Sequence, residues 1–335
     1  MKDCRNYSLL SHNTFGMDAR CSRFIAFDSD EEAAAVAKAL AEPFLIVGGG
    51  SNLLLTRDYE GTVVRSAIKG YELIGENDDH VLVRVGSGEE WDQMVERFVN
   101  HGWHGAENLS LIPGDVGASA VQNIGAYGTE VGELIECVEA VGIPSGEQVQ
   151  IPVEDCKYGY RSSSFKKEWK NRYLITHVVY RLSKEFTPRL DYGNIRAELL
   201  RRGIDMPTAA QLREVIIAIR RDKLPDPKVE GNAGSFFMNP VVSREQFEAL
   251  LARYPQMPHY AVDQQHEKIP AGWLIDQCGW KGKSLGRAGV HSKQALVLVN
   301  RGGATGQEIV ALCDAIRSDV LAKFGIAIVP EVNII

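Results

Sequence analysis

Apolar positions recur along this chain with two different periods, and the switches between them outline its elements. Residues 30–41 (DEEAAAVAKALA) read as a helix whose first turn carries Asp30, Glu31 and Glu32, where the helix dipole favours acids. Three short β-branched runs, FLIV (44–47), TVVR (62–65) and VLVRV (81–85), read as strands. In 89–99 the residues Trp91, Met94, Val95 and Phe98 fall on one helical face, and Gly102 marks the stop. The first part of the chain therefore alternates β and α. From 105 to 130 helical periodicity disappears, which predicts a long loop of the kind that is usually functional.

Strands are predicted around 134–143 and 173–182, and helices over 194–203 and 208–224. Pro225 and Pro227 interrupt the pattern, so the stretch 222–230 is the best domain boundary. Beyond it, Ser243 with Gln246 and Thr305 with Glu308 read as capping boxes that open two helices, the second stopped by Gly325. The chain closes on an apolar run, IAIVPEVNII (326–335), predicted as a strand.

Composition narrows the class. At 335 residues the chain is long enough for two or three domains, and 44 % hydrophobic with 24 % charged residues is ordinary for a globular protein. A net charge of −7 argues against nucleic acid as a partner. No apolar run approaches the roughly 18–20 residues that cross a bilayer, and the N-terminus lacks the apolar core of a signal peptide. No membrane association and a cytoplasmic location are the expectation. The six cysteines are scattered without a C-x-x-C pair, which favours free thiols. His101 and His104 bracket Trp103 with no carboxylate at a convincing spacing, so no metal is expected. Nothing in the pattern advertises a dimer, and a monomer is expected.

Two segments poor in side-chain bulk hold the candidate chemistry. Gly48, Gly49 and Gly50, followed by Ser51, Asn52 and Leu53, end an apolar run in a loop able to turn several backbone N–H groups toward a phosphate or diphosphate. The spacing matches neither the P-loop nor the dinucleotide fingerprint. The second segment, 113–126, is either a surface for a planar ring or a glycine-rich structural turn. An extended FAD would use both segments, whereas ATP would need only the first. Arg161, in YGYRSSSFK (158–166), offers a planar fork for a carboxylate, or simply stacks on its aromatic neighbours. Ser235 sits in a Gly/Asn turn that either aims its hydroxyl at a cleft or lets it bond its own backbone. Glu331 is a carboxylate among apolar residues, or an ordinary outward-facing position.

Taken in order, NTFG (13–16), VGGGSNLL, SLIPGDVGAS, QNIGAYG, YGYRSSSFK, KLPDP (223–227), GNAGSFFMNP, AGWLIDQCGWKG, GVHSKQALVLVN and PEV resemble the UDP-N-acetylenolpyruvoylglucosamine reductase family over nearly the whole chain. DYGN with Tyr192 is similar to the extra loop of the family's longer type. The resemblance implies an α+β fold: a two-lobed FAD-binding module of the vanillyl-alcohol-oxidase type, with lobes at 1–71 and 72–205. A C-terminal α/β substrate-binding domain would follow over 210–325, and a final strand, 326–335, would return to the FAD module. FAD would rest its diphosphate on Gly48–Asn52, and Leu53 would also bind the cofactor. Its ring would lie near Pro113, Gly114, Gly117, Ala118 and Ser119, and near Gln122, Asn123 and Gly125.

The resemblance further implies NADPH as co-substrate in ping-pong kinetics, with hydride passing to the methylene carbon of an enolpyruvyl UDP-sugar. Arg161 and Glu331 match the residues that polarise the resulting enolate; Glu331 helps only if it holds or shares a proton. Ser235 matches the proton donor. Substrate contacts carry over to Tyr127, Tyr192, Lys223 and Asn239, and to Tyr260, Lys268, Lys281 and Gln294. Met238 departs from the pattern, standing where many members have Lys. The rival expectation is a flavin oxidase or dehydrogenase of the same FAD fold acting on another small substrate.

Overall fold

The computed structural model describes residues 1–335 as two compact units. The first comprises Met1–Tyr7, Cys21–Gly49 and Tyr59–Asp222; the second comprises Ser8–Arg20, Gly50–Asp58 and Lys223–Ile335.

In the first unit, strands Arg20–Phe27 and Phe44–Val47 both run parallel to Tyr59–Ser66, and helix α1 (Asp30–Ala39) makes the crossover. Ser29 caps α1 by accepting the Glu32 N–H. Its buried Ala33, Val36 and Ala37 pack on Ile25, Phe27 and Val64. A five-stranded antiparallel sheet follows, in the order Gln148–Pro152, Ile135–Gly142, Tyr173–Ser183, His80–Gly86, Tyr71–Glu76. Strand Tyr173–Ser183 runs at its centre, and its residues 174–180 are buried without alternation, as a strand covered on both faces must be. Helix α2 (Trp91–Asn100) lays Trp91, Met94, Val95 and Phe98 on this sheet, against Val83, Val85, Val178 and Tyr180. Helices α4 (Ile195–Arg201) and α5 (Ala209–Lys223) share a small core of Ile195, Leu199, Leu212, Val215, Ile216 and Ile219.

The segment expected as a long loop holds a short helix, α3 (Val116–Gln122). Its sequence, VGASAVQ, has no amphipathic stripe because its bulk is what had to be small: a Cβ on Gly117 would lie 2.8 Å from the Cβ of Ser87.

The second unit is built on an antiparallel sheet ordered Gly231–Ser235, Val297–Asn300, Ala288–Val290, Ser284–Leu285. A three-stranded sheet, Val241–Ser243, His266–Lys268, Tyr260–Ala261, joins it with helices α6 (Arg244–Arg253), α7 (Ala271–Gln277) and α8 (Gly306–Phe324). Thr305 and Glu308 form the full reciprocal box at α8, whereas Ser243 supplies only the forward half at α6. The predicted last strand is mostly irregular. Only Asn333–Ile334 pairs, parallel to Leu53–Leu54, and Pro330, lacking an N–H, makes a single bridge to Phe237. No helix is long and apolar enough to cross a membrane.

Candidate active site

The site residues of the first unit gather around α3. A Cβ on Gly48 would lie 2.9 Å from that of Ala118, and one on Gly49 would lie 3.1 Å from the Gly114 Cα. These two glycines are required by the close approach of protein to protein. Residues 114–117 hang from the preceding segment by backbone bonds: Gly117 N–H to Ser87 O (2.9 Å), Val116 N–H to Glu89 O (2.8 Å), Trp91 N–H to Gly114 O (3.0 Å). Asp115 pairs with Arg65 at 3.1 Å, and burial raises its carboxyl pKa against the pull of that guanidinium. Ser119 donates to Val116 O and meets the Tyr180 hydroxyl. Asn123, left-handed at φ 48°, donates to Glu130 and Gly159 O and accepts from Gly132 N–H. The side chains of Ser119 and Asn123 thus serve the fold. Pro113 is exposed and Gln122 half-buried.

Arg161 is also held in the left-handed region, at φ 51°, a conformation that costs a residue bearing a Cβ about 1–3 kcal/mol. Its guanidinium donates to the carbonyls of Asn123 and Gly125 and lies 5.2 Å over the Tyr160 ring. A Cβ on Gly125 would fall 2.6 Å from its Nη1. The structure therefore brings Arg161 onto the QNIGAYG segment, 36 residues earlier. Tyr127 packs on Gly193, and Tyr192 packs on Gly128, each ring against the glycine beside the other. Burial raises the Tyr127 pKa, with Arg220 opposing.

Arg220, on α5, escaped the sequence reading. Its Nε is buried without a hydrogen-bond partner, and burial lowers its pKa while Tyr127 and Asp92 counter. Only a pairing remote in sequence marks it, so no local pattern could have singled it out.

The second unit assembles Ser235 and Glu331 through the backbone. Glu331 N–H donates to Phe236 O (2.8 Å), and Phe236 N–H donates to Leu296 O (2.8 Å). Ser235, exposed, faces Val297 in the ladder. The Asn232 side chain fixes the turn by accepting from Gly234 N–H, with Gly234 at φ 67°. Asn52 joins this group: its Nδ2 donates to Glu331 O (3.4 Å), and its own carbonyl accepts from Asn333. Gly50 sits at φ 69°, where a Cβ would lie 1.9 Å from His12 O. Ser51 is half-buried and Leu53 pairs with Asn333.

Two other site residues meet at the start of α7. Asn239 accepts the Ala271 N–H (2.9 Å), and the Gln294 Oε1 lies 3.1 Å from where a Gly272 Cβ would be. Lys268 pairs with Tyr260 across two strands, its ammonium 6.0 Å from that ring. Lys281 is exposed and paired with Asp276 at 3.5 Å, and Lys223 is half-buried at the end of α5.

The first unit thus offers glycine-lined backbone and buried guanidinium groups, and the second an exposed hydroxyl in a strand tied by its backbone to Glu331. Residues 22–151 match the FAD binding domain, and residues 226–335 match the UDP-N-acetylenolpyruvoylglucosamine reductase C-terminal domain. The protein is thus an FAD-dependent oxidoreductase of mixed α and β structure.

Its relatives give the particular family. A UDP-N-acetylenolpyruvoylglucosamine reductase of Bacteroides fragilis is 57 % identical over 334 residues, covering 99 % of each chain. One from Chromobacterium violaceum is 49 % identical over 330 residues, covering 96 % of each. The chain belongs to the UDP-N-acetylenolpyruvoylglucosamine reductase family. The fold is shared with the crystal structure of the reductase from Thermus caldophilus, at a TM-score of 0.68 and 24 % identity, covering 99 % of this chain and 98 % of that one.

Proposed function

We propose that this protein reduces the enolpyruvyl ether of UDP-N-acetylenolpyruvoylglucosamine to UDP-N-acetylmuramate, a step of peptidoglycan precursor synthesis, with NADPH as the electron source. Identity of 57 % sustained over 99 % of both chains carries this reading. FAD, when bound, would supply the two-electron hydride chemistry that links NADPH to the methylene carbon of the substrate. Gly48–Asn52 would hold its diphosphate, Leu53 would also bind the cofactor, and residues 113–125 would lie near its ring.

The protein's own side chains then manage charge and protons. Hydride addition at the methylene carbon leaves an electron pair on the adjacent carbon, delocalised into the carboxylate. Arg161, its guanidinium already fixed by two carbonyls, stabilises that charge as a preorganised donor. Ser235 Oγ gives its proton to the carbon, completing a methyl-bearing saturated centre. A hydroxyl is a weak acid, but an enolate carbon is basic enough to take its proton. Glu331, tied to Phe236 beside Ser235, assists when it carries a proton, since a bare carboxylate would repel the enolate. Lys223, Asn239, Tyr260, Lys268, Lys281 and Gln294, all of the second unit, would contact the UDP-sugar. Tyr127 and Tyr192 would contact it from the first. Lysines suit a diphosphate as point charges.

The experiment is anaerobic. Purified protein should show a flavin spectrum, bleach with NADPH and recover its absorbance when the enolpyruvyl UDP-sugar is added, with UDP-N-acetylmuramate formed in equal amount. Recovery with oxygen but not with the sugar nucleotide would instead assign an oxidase of the same FAD fold.

A further inference from the structure

We infer that Asp92 is a positioning residue for the flavin ring, coupling the loop that leads into the 113–125 segment to helix α5. This rests on the flavin reading proposed above. Aspartate in the first turn of a helix usually needs no explanation beyond the dipole. Here the carboxylate reaches away from α2. One oxygen, Oδ1, accepts both the Leu111 N–H (2.5 Å) and an Nη1 of Arg213 on α5 (2.6 Å). A second Arg213 nitrogen donates to the Asp92 carbonyl (3.3 Å).

Each partner is itself unusual. Leu111 is left-handed at φ 58°, a strained setting for a residue with a branched side chain, two positions before Pro113. Its amide is anchored by a charged acceptor in a loop that Trp91 grips on either side, through Leu109 O and Gly114 O. Arg213 is 8 % exposed, and a guanidinium so buried needs an anion. Two turns further along α5, on nearly the same face, stands Arg220 with its unpartnered Nε, and the charge of Asp92 reaches it. A single carboxylate therefore fixes the kink that enters the ring segment and balances two cations on the helix beside Tyr127.

Two substitutions separate the parts. Asp92→Asn keeps an oxygen for Leu111 and removes the charge; Asp92→Ala removes both. The readouts are the FAD dissociation constant of the apoprotein and the two-electron midpoint potential of the bound flavin, with the thermal midpoint as a control. Both variants should shift the potential positive, because losing an anion favours electron uptake. A tenfold change in the reduction equilibrium corresponds to about 30 mV. Asp92→Ala should also weaken FAD binding tenfold or more, whereas Asp92→Asn should stay within about threefold, since only the former frees the Leu111 kink.

Should Asp92→Ala yield no folded protein, the potential of Asp92→Asn decides alone. Wild-type affinity and potential in the folded variants, with only the thermal midpoint lowered, would reduce Asp92 to a brace of the fold and overturn the proposal. A wild-type chain that takes up no FAD would overturn the flavin reading first, and this proposal with it.

Discussion

Arg161 and Ser235, one in each unit, are held by opposite means. Arg161 occupies a left-handed backbone position, and its side chain is steered by the carbonyls of Asn123 and Gly125. Ser235 lies in a strand whose neighbour, Phe236, carries the ladder bonds to Leu296 and Glu331. In the first unit the functional side chain is part of what holds the loop together. In the second, the backbone does that work and leaves the hydroxyl exposed. A site built the first way couples rate to stability, and one built the second way separates them.

Arg161→Lys tests the coupled side most severely. A lysine cannot span two carbonyls as a planar fork, so flavin reoxidation by the enolpyruvyl substrate should slow by about 10²–10³. The same variant should lose about 1–3 kcal/mol in urea unfolding, because two hydrogen bonds from a charged donor disappear. An Arg161→Lys protein as stable as the wild type would break the contrast.

Gly50→Ala should act first on the fold, and through it on the proposed diphosphate loop. Its φ of 69° and a Cβ 1.9 Å from His12 O force the backbone to move, at a cost of about 3 kcal/mol or more by chemical denaturation. Gly125→Ala should act on rate and stability together. It pushes on the fixed guanidinium of Arg161, 2.6 Å away, so kcat should fall by about 10–100-fold and unfolding free energy by about 1–2 kcal/mol as the bonds to Asn123 and Gly125 are disturbed.

The smallest effect concerns a cluster outside the site. His177 is buried beside Arg84, with Asp30 and Glu139 also facing it. Burial and then Arg84 lower its pKa, with the two carboxylates opposing. A folded pKa below the unfolded value means that the unfolded chain takes the proton first. Stability is full above about pH 6.5 and declines as the pH falls below it toward the folded value. Replacing His177 with Asn keeps an acceptor for Arg84 and should reduce the drop in Tm between about pH 7.5 and about pH 5.5 by roughly 1–2 °C.

Sequence made the repeating parts of this molecule legible. The spacing of Trp91, Met94, Val95 and Phe98 locates α2, and the β-branched runs at 44–47 and 81–85 locate strands, because burial on one face repeats with the element. Sequence marks Gly48, Gly49 and Gly50 alike as conformational glycines; only Gly50 has a positive φ, and the close packing that requires Gly48 and Gly49 becomes apparent only once Gly114 and Ala118 are beside them. Helix α3 was hidden because its small residues erase the periodic signal. The apolar content of 326–335 predicts a strand, but Pro330 lacks a ladder N–H and only Asn333–Ile334 pairs. Asp92 and Arg213, 121 residues apart, left no local signature at all.

The most direct test of the account is the ratio of the two half-reactions in Ser235→Ala, followed anaerobically by stopped flow. Reduction of the flavin by NADPH should match the wild type, and reoxidation by the enolpyruvyl UDP-sugar should fall by about 10³ or more, with the unfolding midpoint unchanged. Equal slowing of both half-reactions, or reoxidation at the wild-type rate, would contradict the assignment of the proton to this hydroxyl.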